Sequence, residues 1–325
     1  MKIRVAVIYG GRSGEHEISI RSAKAIMAGL DPARYQQIEY FIDKDGKWNP
    51  RPILPEPGAQ PEIDVAFPIM HGTFGEDGTM QGLLELADVA YVGAGVMGSA
   101  ISMDKEMMKR VCRERNLPVV DYLTLPRDCA NPVEACAGLP FPVFVKPANL
   151  GSSVGISKAH SAKELAEAFA LAAQYDRKII VERGIAGREL ECAVLGNEAP
   201  MASLPCEILP SREFYDYEDK YLLDKAGTEV PADLPPAKTE ELRRLAVECY
   251  RAVECEGMGR VDFLLEAATD KLYINEINTI PGFTSISMYP KMWEHSGIPF
   301  PALLDRLIDL ALDRHQRKKA TRFTR

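Results

Sequence analysis

The sequence predicts an α/β protein, α+β in parts, built from three successive units, and three stretches carry that prediction. KIRVAVIYGG (2–11) is an apolar run closed by two glycines and followed by EISIRSAKAIMAGL (17–30). That is the strand, tight turn and helix which open a parallel α/β unit. FPVFVKPA (141–148) runs into the glycine loop NLGSSVGI and the helix SAKELAEAFALAAQY (161–175), a smaller α+β unit. GRVDFLLEAATDKLYINEIN (259–278) reads as two strands joined by EAATDK, short enough for a hairpin.

In the first unit, residues 1 to about 103, strands are expected at QIEYFID (37–43), DVAFPIM (64–70) and VAYVGA (89–94), with a helix at GTMQGLLELA (78–87). These make an open, largely parallel sheet. Residues 45–63, with GKW and several prolines, read as a surface loop. The second unit, 104–184, begins with the helix DKEMMKRVCRERN (104–116), stopped near Pro118. VVDYLTL, the strand and loop above, and KIIVERG (178–184) complete it. Ser161 and Glu164 have the spacing of a capping box. The third unit, 185–325, starts strand-rich with RELECAVLG and MASLPCEIL (201–209). A polar aromatic loop (213–229), the helix TEELRRLAVECYRAVE (239–254), the hairpin and a last helix ALLDRLIDLALDRH (302–315) follow.

Composition excludes several classes. The chain has 325 residues, 46% hydrophobic and 26% charged, which suits a globular protein of two or three domains. A net charge of −8 argues against a general nucleic-acid binder. The basic end HQRKKATRFTR (315–325) reads as a solvated or frayed tail. Seven scattered cysteines without a CxxC pair fit free thiols in a reducing compartment. The first apolar run is too short for a signal peptide and no run reaches membrane-spanning length, so a cytosolic protein is expected.

The chemistry concentrates where strands carry polar residues. Side chains alternate along a strand, so Glu276 and Asn278 share one face, roughly 7 Å apart. Arg260 and Asp262 repeat that spacing. With Asp262 opposite Glu276, one face holds Asp262, Glu276, Asn278 and Arg260. Three hard oxygen donors suit Mg²⁺, and Arg260 calls for an anion beside the metal. The alternative is an exposed face of solvated charges. Asn275 falls on the other face and receives no role.

A nucleotide phosphate would need further contacts. Lys105 opens a helix, Lys146 ends a strand, and the GSSVG loop (151–155) offers backbone N–H groups and the Ser152 and Ser153 hydroxyls. Neither a Walker A loop nor a GxGxxG fingerprint is present. In VERGI (181–185), Glu182 and the backbone of Arg183 and Ile185 can bond an adenine edge, and Glu189 can take ribose hydroxyls. Each of these residues by itself is ordinarily a plain surface or turn residue.

Together these residues resemble the ATP-grasp superfamily and, within it, the D-alanine–D-alanine ligases. The likeness runs through nearly the whole chain in YGGRSGEHEISIRSA, MHGTFGEDGTMQGLLE, SAISMDK, FVKPANLGSSVG, FYDYEDKY, GRVDF and EINTIPGFTSIS. The resemblance implies three domains meeting at one cleft and two Mg²⁺, replaceable by Mn²⁺, on Asp262, Glu276 and Asn278. It implies ATP phosphates on Lys105, Lys146 and Lys220, and the first D-alanine's ammonium on Glu15, supported by Ser152 and Tyr221. It further implies an oxyanion held by Arg260 and the Gly282 N–H, a second carboxylate at Ser287 and Met288, and His71 near the substrates. The loop 212–229 would be a lid, and the assembly a homodimer. The product implied is D-alanyl-D-alanine for peptidoglycan precursor synthesis, through a D-alanyl phosphate.

Departures sit at Arg12, Gly14 and Cys206, none of them a proposed ligand. Three rivals remain. A related ligase taking D-lactate or D-serine as second substrate is disfavoured by Tyr221, which phenylalanine or a histidine-bearing loop tends to replace in depsipeptide-forming relatives. A nucleotide-binding regulator would lack one of Lys146, Arg260, Asp262, Glu276 or Asn278. A dehydrogenase would need the absent fingerprint.

Overall fold

A computed structural model describes residues 1–151, 154–209 and 227–322. The first sheet has the order β3-β2-β1-β4-β5, formed by β1 (Ile3–Gly10), β2 (Tyr35–Ile42), β3 (Trp48–Asn49), β4 (Val65–Pro68) and β5 (Ala90–Tyr91). All neighbours are parallel except β3, an antiparallel edge. Val5, Val7 and Phe67 face one core and Ala6 and Ile8 another, which is why these strands read as unbroken apolar runs. The helices here are α1 (His16–Gly29), α2 (Thr79–Leu86) and α3 (Val96–Met103). Chain order reverses between β1 and β4, the place where open α/β sheets bind ligands beyond their strand ends. The segments leaving those strands carry Glu15 and His71.

The second sheet is antiparallel, ordered β6-β9-β7-β8: β6 (Tyr122–Pro126), β7 (Val143–Pro147), β8 (Ser157–Ala159) and β9 (Lys178–Arg183). Helices α5 (Pro132–Ala135) and α6 (Ala162–Ala172) cover one face. Ser161 caps α6 as expected, accepting from Glu164 N–H at 3.3 Å, while Glu164 reaches back to the His160 N–H at 2.9 Å. Helix α4 (Lys105–Glu114) is capped by Asp104, which accepts from Met107 N–H at 3.0 Å. Its Met108 and Cys112 pack into the core of the third sheet.

That sheet runs β13-β12-β10-β14-β15, with β11 on β10: β10 (Gly187–Leu195), β11 (Met201–Ala202), β12 (Cys206–Leu209), β13 (Gly227–Glu229), β14 (Met258–Glu266) and β15 (Lys271–Asn278). MASLPCEIL is therefore two short strands, interrupted around Pro205, which has no N–H for the ladder. Helix α7 (Pro236–Ala252) covers one face. Helices α8 (Met288–His295) and α9 (Phe300–Lys319) do something the pattern did not show. Their Trp293, Leu304 and Leu307 share one core with Val5, Val7 and Phe67 of the first sheet.

Two expectations need correction. Residues 45–63 are more than a surface loop, since Trp48–Asn49 extends the sheet and Ile53 and Ile63 are buried. The basic end is not a frayed tail as far as Lys319: α9 continues through it. Arg314 donates to the Tyr91 carbonyl at 2.8 Å, Lys319 lies 3.3 Å from Asp88, and Arg317 2.5 Å from Glu198. Those acceptors belong to distant segments and were invisible in the local sequence. Among the described residues no helix is long and apolar enough to cross a membrane.

Candidate active site

The β14–β15 ladder pairs Arg260 with Asn278 and Asp262 with Glu276, the register expected. Between Asp262 and Phe263 it shifts, so Phe263 faces Ile274 and Asn275 is an extra, bulged residue. This corrects the reading of Asn275 as idle. Its carbonyl accepts from Lys109 Nζ at 2.9 Å, and its Oδ1 lies 3.4 Å from Lys146 Nζ. Arg260 holds Asp262 through Nε (2.7 Å) and Nη2 (2.6 Å) and approaches Glu191, which stands opposite Asp262 on β10, at 3.3 Å. Burial works against the Arg260 charge, but Asp262 and Glu191 hold it well above the ordinary arginine value.

The gap between the second and third sheets is lined with lysines. Lys146 Nζ sits 2.7 Å from Glu182 Oε2, and Lys109 Nζ 3.2 Å from Oε1. Burial raises the Glu182 pKa, yet the two ammonium groups overcome it and hold the carboxyl down to about 2. Lys105 donates to the Leu150 carbonyl at 2.8 Å and lies 3.5 Å from Glu276. Arg183 is turned to Glu266 (2.8 Å) and Tyr273 (3.2 Å), so only its backbone is placed for recognition. Ile185 is half-buried in the turn to β10, where Glu189 stands opposite Leu264 and Ile208.

A cleft of about 420 Å³ gathers Glu15, His71, Lys105, Arg260, Glu276, Asn278, Gly282, Ser287 and Met288. Glu15 Oε2 lies so close to Gly72 that a Cβ there would stand 2.7 Å away, and Gly72 has φ +75°, so both space and backbone call for glycine. His71 is buried, and burial lowers its pKa. Its Nδ1–H donates to the Ile280 carbonyl at 3.0 Å. Its Nε2 then accepts from the Ser22 hydroxyl at 3.2 Å, and Ser22 in turn accepts from Phe283 N–H at 3.3 Å. His71 thus ties the first unit to the 280–283 segment with both ring nitrogens in use. Ser287 occupies the N-cap position of α8 without a side-chain cap bond, and its hydroxyl accepts from Thr284 N–H at 3.0 Å. The α8 N-terminus opens beside it with backbone donors and the positive end of the helix dipole.

Asp262, Glu276 and Asn278 offer carboxylate and amide oxygens on one face, a donor set that fits Mg²⁺ in type. Among the described residues no three His, Cys, Asp or Glu side chains converge as a metal cluster, so a metal at this face would also need the amide oxygen of Asn278. Ser152, Ser153, Lys220 and Tyr221 lie outside the described residues. So does the lid segment apart from 227–229, which form β13.

Four residues near the site escaped the sequence reading. Lys109 follows Lys105 by four on one helix, and Glu191 follows Glu189 by two on one strand, so the periodicity held a signal for both. Asn275 depended on a bulge with no local mark. Glu76 sat within MHGTFGEDG, a motif quoted without a role for it. It is buried beside Glu15 in the cleft, its Oε2 accepts from Gly72 N–H at 2.6 Å, and Oε1 has no partner among the described residues.

A lysine-lined gap between two antiparallel sheets, set against an open parallel sheet, defines this protein as one of the ATP-grasp enzymes. The family described as D-ala D-ala ligase C-terminus matches residues 111–309, and its N-terminal counterpart matches 4–57 and 54–94. The chain is 77% identical over 325 residues, all of both chains, to a D-alanine–D-alanine ligase of Solibacter usitatus. It is 48% identical, over 98% of both, to one from Thermoanaerobacter sp. strain X514. The structure of the D-alanine–D-alanine ligase from Coxiella burnetii superposes with TM-score 0.88 at 42% identity, over 98% of this chain and 96% of that one. The VanG D-Ala:D-Ser ligase from Enterococcus faecalis gives 0.87 at 33%, over 96% and 100%. The chain belongs to the D-alanine–D-alanine ligase family.

Proposed function

We propose that this protein joins two D-alanine molecules to D-alanyl-D-alanine at the expense of ATP, through a D-alanyl phosphate, for peptidoglycan precursor synthesis. The observation that supports it most is the hairpin register. Arg260, Asp262, Glu276 and Asn278 share one face, and Arg260, Glu276 and Asn278 line the cleft that also holds Glu15 and the α8 N-terminus.

In this reading Glu15, with Ser152 and Tyr221, orients the first D-alanine by its ammonium. Its carboxylate oxygen attacks the γ-phosphorus and ADP leaves. Lys105, Lys146 and Lys220 neutralise charge on the transferred group, with Ser153 of the glycine loop over the phosphates. Two Mg²⁺ ions, held by Asp262, Glu276 and Asn278, supply charge neutralisation when bound. Glu182, the backbone of Arg183 and Ile185, and Glu189 receive adenine and ribose. The amine of the second D-alanine, its carboxylate held at Ser287 and Met288, then attacks the acyl carbon and phosphate leaves. Arg260 and the Gly282 N–H hold the oxyanion, an effect of about 3–4 kcal/mol per donor. His71 lies close to the substrates in the cleft and, with both ring nitrogens engaged, also positions the 280–283 segment. The three units of the chain, 1–103, 104–184 and 185–325, supply the amino-acid, nucleotide and metal sides in turn. A cytosolic homodimer is the setting inferred.

Phosphate release from MgATP, with D-alanine titrated in, tests this. Two-site saturation by D-alanine and silence with L-alanine are expected. ATP binding without turnover on any D-amino acid would overturn it. A large extra signal with D-alanine plus D-lactate near neutral pH would move the product to the depsipeptide.

A further inference from the structure

We propose that Lys109 is a positioning residue that ties the nucleotide side of the cleft to the metal-facing hairpin, gripping Glu182 and the β15 bulge at once. The inference rests on the ATP-dependent reading above. Lys109 lies one turn beyond Lys105 on α4 and is wholly buried. Lysine is almost never buried so fully unless paired.

Among the described residues its polar contacts are the 3.2 Å approach to Glu182 Oε1 and the 2.9 Å bond to the Asn275 carbonyl. Lys146 meets the same pair from the other side, at Glu182 Oε2 and Asn275 Oδ1. Two ammonium groups thus share one carboxylate. A counter-ion for Glu182 was already present in Lys146, so charge pairing alone does not account for Lys109.

The Asn275 contact does. Asn275 has no register partner on β14. A part-buried bulge carbonyl outside the ladder needs a donor from elsewhere, and Lys109 supplies it. The bulge in turn decides which way the hairpin faces. Without it the pairing Phe263–Ile274 would continue as Asp262–Asn275 and Val261–Glu276. Glu276 and Asn278 would then leave the face of Asp262 and Arg260, since a slip of one residue reverses every side chain. At its other contact Lys109 keeps Glu182 ionised and immobile, an acceptor suited to an amino group and hostile to a carbonyl.

Lys109→Met and Lys109→Gln, made in the full chain, test this. For Lys109→Met the KM for ATP and the half-saturating Mg²⁺ should each rise about 10- to 100-fold, the usual effect of removing an outer-shell support. The KM at both D-alanine sites should stay within about twofold. Binding of Mn²⁺–ADP, read by water-proton relaxation without turnover, should weaken with the ATP KM. Lys109→Gln keeps a donor and loses the charge, so it should recover part of the metal response. Unchanged kinetics, or an equal rise in the ATP and D-alanine KM values, would overturn the proposal. Failure of both variants to fold would do the same, by making Lys109 purely structural. Absence of MgATP turnover in the unmodified enzyme would instead sink the ligase reading, before any variant is compared.

Discussion

Glu76 and Glu182 are both buried glutamates, one lining the cleft and the other in the gap between the second and third sheets, and their carboxyl pKa values are pushed in opposite directions. Among the described residues Glu76 accepts one hydrogen bond, from the Gly72 N–H, and it stands near the charge of Glu15. Burial first, and then Glu15, push its carboxyl well above the usual range. Glu182 is buried at least as deeply but lies between Lys109 and Lys146, which hold it down to about 2. Burial acts in the same direction on both, and the partners decide the outcome. Among the described residues Glu76 accordingly pairs with no ammonium group, while Glu182 meets two buried lysines.

One substitution made at both positions should give the largest contrast. Glu182→Gln leaves two buried ammonium groups without their counter-ion and should cost about 3–5 kcal/mol of stability. Glu76→Gln keeps an oxygen for the Gly72 N–H and removes a carboxyl whose charged form burial already disfavours, so it should cost about 1 kcal/mol or less. Urea unfolding at neutral pH measures both, and equal losses would abolish the distinction.

The pH dependence should then differ in sign. For Glu182 the folded pKa is below the unfolded one, so the unfolded chain binds more protons between about 2 and 4.5. Its contribution is present above that window and lost as pH falls through it. For Glu76 the folded pKa is raised, so the folded chain holds the extra proton. Stability should fall as pH rises from about 4.5 through the folded pKa. Subtracting the Glu76→Gln curve from that of the unmodified protein isolates the slope, and a flat difference would refute the raised pKa.

The smallest effect belongs where water replaces the partner. Arg34 spans Asp305 (3.1 Å) and Asp309 (2.7 Å), linking the first unit to α9, with its side chain 38% exposed. Arg34→Ala should cost only about 0.2–1 kcal/mol in a thermal melt. A loss as large as that of Glu182→Gln would mean exposure does not govern the worth of these pairs.

Much of this was legible in the chain itself. The β1 run with its glycines, the Ser161 cap and the Asp262–Glu276 register all follow from local periodicity and short connections, and the structure has them. The Asn275 bulge was not legible, because a bulge satisfies its backbone through a lysine 166 residues away. The docking of α9 depended likewise on Tyr91, Asp88 and Glu198, each far off in sequence.

What the sequence by itself determined is the set of elements and the chemical inventory, since strand alternation, caps and residue types act over a few neighbours. Only the tertiary structure decided that Lys109 and Lys146 share Glu182, that His71 spends both nitrogens on Ser22 and Ile280, and that Glu76 lies in a cleft beside Glu15. Those outcomes depend on which charges are brought together away from water, and desolvation makes the choice of neighbour worth more than any local preference.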